Sequence, residues 1–307
     1  MKTSFFFLLS VLLLTLSTNA SAQYNKSAGQ NAPMEAVEVE KVNDKTGQIE
    51  KEMVQRRVQG DSYGNAQGSD YDLAVDGAFE GQTIVVLDFY NVLQADAKSA
   101  LERKGFSVYR YSNAAPEPKE LEESLAKANQ LWIISSCDPG STRLSKDHLK
   151  VIKDFFDAGH GLYIWGDNDP CLYDANAVAT YVFDTKLEGD VPGDQTVTLF
   201  EKEGEPGVLP GHLLTTGIEH IYEGVTVATL QPTEGFKPLI YGSAGNLIAG
   251  YYDQDGKRAI IDGGFTRLYY KWDTAGTGRY VMNAAAWLAN AERFGDVVNP
   301  KLKEEKQ

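Results

Sequence analysis

The chain has little cysteine and little histidine, two and four among its 307 residues. The histidines form no His-x-His or His-Glu-x-x-His spacing, so no zinc signature is present. Basic residues are also scarce. Lys and Arg number 29 against 43 Asp and Glu, giving a net charge of −14. A surface this acidic has no general attraction for nucleic acid or anionic lipid, and no basic stripe rescues such a reading. Long apolar runs are missing beyond residues 5–16. No later segment approaches the roughly 20 apolar residues of a spanning helix, and no internal repeat is found.

What is present begins with a leader. Lys2 gives a positive start, 5–16 is apolar apart from Ser10 and Thr15, and Ala20-Ser21-Ala22 suits a small-residue cleavage site. This predicts a signal peptide over 1–22 and a secreted or periplasmic protein. Two cysteines in an oxidising compartment predict one disulfide between Cys137 and Cys171, each just past a predicted strand. The alternative is a reactive thiol. That needs a base or a helix N-terminus nearby, and no His stands convincingly beside either residue.

Residues 23–75 are polar and poor in aromatics, a composition that buries little apolar surface. They read as a largely flexible arm. Within it, 35–42 and 48–54 alternate weakly around Asp44-Lys-Thr-Gly47, which suits a hairpin; a helix over 49–58 suits the same residues. The compact domain spans 76–296, long enough for one core, and a charged tail follows at 297–307.

Apolar runs at 83–89, 106–111, 130–135 and 161–166 predict strands. Helical patterns at 93–104, 117–129 and 145–158 separate them. Ser145 supplies an N-cap and Asp157-Ala-Gly159 a stop for the third helix. This rhythm means an α/β domain with a doubly wound, mostly parallel sheet and right-handed crossovers. After Phe183 the texture changes to short strands at 196–200, 226–230, 239–241, 247–251 and 259–262. Asp255-Gly256 is a hairpin turn between the last two. A final helix covers 280–291. The class is therefore doubly wound α/β with added C-terminal β-hairpins.

Four stretches carry a family resemblance: Leu131-Trp-Ile-Ile-Ser-Ser136, Ala158-Gly-His-Gly-Leu-Tyr-Ile-Trp-Gly166, His212-Leu-Leu-Thr-Thr-Gly-Ile218 and Arg258-Ala-Ile-Ile-Asp-Gly-Gly-Phe265. Over residues 82–292 the chain resembles the class I glutamine-amidotransferase-like superfold, in a divergent secreted branch similar to the trehalose-utilisation (ThuA-like) group. The resemblance implies a flavodoxin- or amidotransferase-like sheet. An active amidotransferase of this type also has a Cys on the elbow after the fourth strand and a late His-x-Glu. Here the elbow reads Gly166-Asp-Asn-Asp169 and the late strand Ile261-Asp-Gly-Gly-Phe265. Nucleophile and base are both missing from their places, which rejects glutaminase chemistry.

The remaining candidates gather where parallel strands end. Asp167, Asn168 and Asp169 on the elbow, Asp138 after the third strand, and Asp88 or Asp262 would converge there. Oxygens at that density suit Ca²⁺ or Mg²⁺, with Asp167 and Asp169 as metal ligands or acid/base groups. The competing reading is that these side chains cap a helix and close a turn. The segment 262–273 brings Asp262, Arg267, Tyr269, Tyr270 and Trp272 to the same end. It either grips a sugar or peptide, or closes the core under the last helix. His148 is expected to face solvent, and His160 lies at the wrong end of the sheet. The expected function is a noncatalytic binding module for a small polar ligand, a carbohydrate, a divalent ion or another protein. The alternative is a carbohydrate-active hydrolase or isomerase.

Overall fold

Short apolar runs set the architecture: β3 (Thr83–Asp88), β4 (Ser107–Ser112), β5 (Gln130–Ile134) and β6 (Gly161–Trp165). A computed structural model describes residues 34–42, 49–57, 73–74, 76–199, 204–272 and 275–294. The predicted leader and charged tail lie outside them. Every residue of β3, β5 and β6 is buried, as parallel strands covered on both faces require. β4 forms the sheet edge and exposes most of its residues.

The crossovers are α1 (Ala95–Arg103), α2 (Pro118–Leu125) and α3 (Lys146–Asp157), and α4 (Tyr173–Phe183) follows β6. β14 (Lys257–Asp262) then joins β6 in parallel. Beyond it lie β13 (Leu247–Gln254), β12 (Phe236–Tyr241) and β9 (Gly207–Val208), all antiparallel. The full order is β4-β3-β5-β6-β14-β13-β12-β9. Its five parallel strands follow the 2-1-3-4-5 doubly wound order, which places a topological switch point between β3 and β5.

Alternation along the strands divides the core. Ile84, Val86, Trp132, Tyr163 and Trp165 face α1 and α5 (Thr277–Leu288). Val85, Leu87, Ile133 and Ile164 face α2, α3 and α4. A short α6 (Ala291–Phe294) follows. The β13–β14 hairpin turns at Asp255 and Gly256, both with positive φ (53° and 68°), as a type I′ turn demands.

Two small antiparallel sheets pair β7 (Leu187–Pro192) with β11 (Thr226–Leu230) and β8 (Thr196–Thr198) with β10 (His220–Tyr222). β7 has no strand signal, because Gly189, Asp190 and Pro192 are poor strand formers. Its pairing with β11 overrides local preference. In the arm, β1 (Met34–Val42) and β2 (Ile49–Arg57) form the hairpin rather than the helix.

His148 is a correction. It is buried rather than solvent-facing. Its Nδ1 accepts from the Ser145 N–H at 3.1 Å, and Nε2 meets the Pro116 carbonyl at 2.6 Å. A capping box and a neighbouring loop draw the ring inward.

Candidate functional site

The doubly wound strand order assigns the crevice to the carboxyl ends of β3, β5, β6 and β14. Four buried aspartates shape its floor. Asp88 ends β3, and its two oxygens accept from the Val92 and Leu93 N–H groups at 2.9 and 3.0 Å. The turn so formed leaves Tyr90 50% exposed.

Asp174, in the first turn of α4, is fully buried and accepts four hydrogen bonds. Ser136 N and Oγ donate at 2.8 and 2.6 Å, Thr142 Oγ1 at 2.9 Å and Arg143 N at 2.6 Å. Arg143 is the matching donor hub. Its guanidinium reaches the Phe89 carbonyl at 2.8 Å, the Asn113 carbonyl at 2.5 Å and Asp138 Oδ2 at 2.6 Å. It thereby ties together the loops after β3, β4 and β5. Sequence reasoning missed both residues, since neither belongs to a motif. The only available signal was an Asp in the first turn of a helix, which ordinarily reads as dipole compensation.

The elbow after β6 is closed by its own backbone. Asp167 N–H donates to the Cys171 carbonyl at 2.9 Å, and Cys171 N–H to that of Asn168 at 2.7 Å. Cys137 and Cys171 form the expected disulfide, joining the loops after β5 and β6 across a sequence separation of 34. The Asp169–Pro170 peptide is cis. The Asp167 side chain is 1% exposed. Its Oδ2 accepts from Thr266 N and Oγ1 at 2.7 and 2.5 Å, and its Oδ1 from Asn168 N at 2.8 Å. Burial pushes its pKa up to about 6, opposed by the Thr266 and Asn168 hydrogen bonds and the Arg267 charge. Asp169 is exposed, and its N–H donates to Asp190 Oδ1 at 2.7 Å. Asn168 Nδ2 donates to the Asp169 carbonyl at 3.0 Å. The structure thus gives the elbow Asp and Asn the turn-closing contacts. Among the described residues no group of three or more His, Cys, Asp or Glu is arranged to hold a metal ion.

The loop after β14 divides between floor and rim. Asp262 and Arg267 are fully buried and pair at 2.5 Å. Asp262 also accepts from the Tyr280 hydroxyl at 3.1 Å and Gly264 N at 3.0 Å. Arg267 Nε donates to the Gly264 carbonyl at 2.9 Å, and its guanidinium lies over the Trp165 and Tyr280 rings. These two residues face each other rather than an incoming ligand. Trp272 is half-buried against the core, beside Gly278 of α5. Tyr269 and Tyr270 turn outward, 40% and 44% exposed. Burial, with the charges of Asp167 and Tyr90, holds the Tyr269 hydroxyl above its usual pKa, so it stays protonated. Beside Tyr270, the Lys271 ammonium lies 5.2 Å from that ring and 4.7 Å from Tyr222, and donates to Asp194 at 2.8 Å.

No protein-family model matches the chain, and no curated protein matches it. Solved structures do. The mmIFT52 N-terminal domain aligns with a TM-score of 0.51 at 12% identity, covering 67% of this chain and 97% of that one. A GMP synthase-like protein from Thermoplasma acidophilum gives 0.44 at 12% identity, covering 70% and 96%. A ThuA-like protein from Parabacteroides merdae gives 0.42 at 13% identity, covering 74% and 94%. At these identities the likeness to the first is one of fold alone.

Proposed function

We propose that this protein is an exported, noncatalytic binding module on an amidotransferase-like scaffold, and that it takes carbohydrate on the tyrosine rim of its crevice. The observation that carries this reading is the division between floor and rim. Each buried floor aspartate already accepts hydrogen bonds from the chain itself. Such carboxylates serve packing and turn closure. The exposed rings are Tyr90, Tyr269 and Tyr270, flat groups with hydroxyl tips that stack on sugar faces and hydrogen-bond their edges. The leader and the disulfide support export. Calorimetric titration with neutral oligosaccharides tests the assignment. Tyr270→Ala and Tyr90→Ala should each weaken binding about tenfold, the effect of about 1.4 kcal/mol. Binding unaltered by either change would overturn it.

A second reading rests on Asp167. A carboxyl that titrates near 6 is suited to proton transfer close to neutral pH. Under that reading Asp167→Asn abolishes turnover of a glycoside while the melting temperature stays near its original value. An Asp167→Asn protein that retains turnover would exclude it.

A further inference from the structure

A second concavity lies outside the crevice, on the sheet face that α5 covers and one to two strands beyond β14. Its volume is about 350 Å³. Tyr251 of β13, Lys237 and Pro238 of β12, and Leu209, Pro210 and His212 from the preceding loop line it. None of its lining residues is acidic, although the chain carries a net charge of −14. Its walls are apolar or aromatic, and its polar groups, on Lys237, His212 and the Tyr251 hydroxyl, can all donate.

The His212 donor can be assigned to one atom. Nδ1 accepts from the Leu214 N–H at 3.2 Å, so the proton of the neutral ring sits on Nε2. Burial, with the nearby Arg258 and Lys237 charges, pushes this imidazole down to about 4, so it is neutral at pH 7. The ring is held in place, its centroid 4.1 Å from Tyr251 and 5.2 Å from Trp287. A donor fixed before binding loses little freedom when it binds. Lys237 is exposed and supplies the positive charge.

We propose that this cleft is a ligand site for a small organic monoanion with a flat apolar body. The anionic group lies between the Lys237 ammonium and the His212 Nε2–H. The body rests on Tyr251 and the two prolines. The volume suits a small molecule. A peptide strand is a poorer occupant, because β9 and the Leu209 N–H already pair with the outer side of β12 at Leu239, Ile240 and Tyr241. The site stands apart from the tyrosine rim, and neither assignment depends on the other.

The test is an NMR titration of the full chain with benzoate and with benzamide, its uncharged planar counterpart. Benzoate should bind about tenfold more tightly, the effect of one charge-assisted hydrogen bond. Shift changes should centre on Leu239 and Tyr251. Lys237→Ala, a surface change that spares the fold, should remove the preference. Four results would each overturn the proposal: no saturable benzoate binding, equal affinities, a preference that survives Lys237→Ala, or shifts confined to the strand-end loops.

Discussion

On the crevice floor, Asp88, Asp167, Asp174 and Asp262 are each at most 1% exposed, and each accepts at least two hydrogen bonds. A few residues away on the rim, Tyr90, Tyr269 and Tyr270 stand 40–50% exposed. The two regions come from the same loops, often from neighbouring residues. They teach that a carboxylate at a strand end is not by itself a site. Its oxygens must be left unspent, and those of the four floor aspartates are taken by the chain's own loops. Beside them the exposed rings are those of Tyr90, Tyr269 and Tyr270.

The comparison breaks most visibly at the floor. Asp262→Ala leaves the Arg267 charge buried and unpaired, and should cost about 3–5 kcal/mol in denaturant unfolding. The double change Asp262→Leu/Arg267→Met should recover much of that loss. A single variant as stable as the original would mean that the pair does not hold the loop after β14. Next in size is the Cys137–Cys171 bridge. Replacing both cysteines by serine frees a loop of 34 residues and should cost about 3–4 kcal/mol on the loop-closure estimate.

Asp167 sharpens the comparison through pH. Its folded-state carboxyl titrates near 6 against an ordinary 3.8, a gap worth about 3 kcal/mol. Because the folded value is raised, this contribution is fully present below pH 3.8 and is lost as pH rises through 6. The original protein should therefore lose stability relative to Asp167→Asn between about pH 4 and 7. Parallel stability curves across that window would place the carboxyl near its ordinary value.

Much of the scaffold was legible in the sequence. Continuous apolar runs announced β3, β5 and β6 because both faces of those strands are covered. Asp255-Gly256 announced its hairpin because only a few residues take positive φ readily. The candidate residues were legible as neighbours but not as an arrangement. Asp167, Asp262, Arg267 and Tyr270 do meet at one end of the sheet. Sequence offers no way to tell which of them turns inward, because that depends on partners as remote as Thr266 from Asp167, 99 positions along the chain. Asp174 and Arg143 were invisible for the same reason: their partners lie on three different loops.

The rim should show the smallest effect on stability. Tyr270→Ala or Tyr90→Ala removes a half-exposed side chain and should change unfolding free energy by only about 0.5 kcal/mol. The most direct test of the account is the double variant Tyr90→Ala/Tyr270→Ala, with melting temperature and oligosaccharide affinity measured on the same sample. The account predicts an unchanged melting temperature and an affinity reduced about a hundredfold. A rim variant that binds as before, or one that loses binding only because it unfolds, would contradict it.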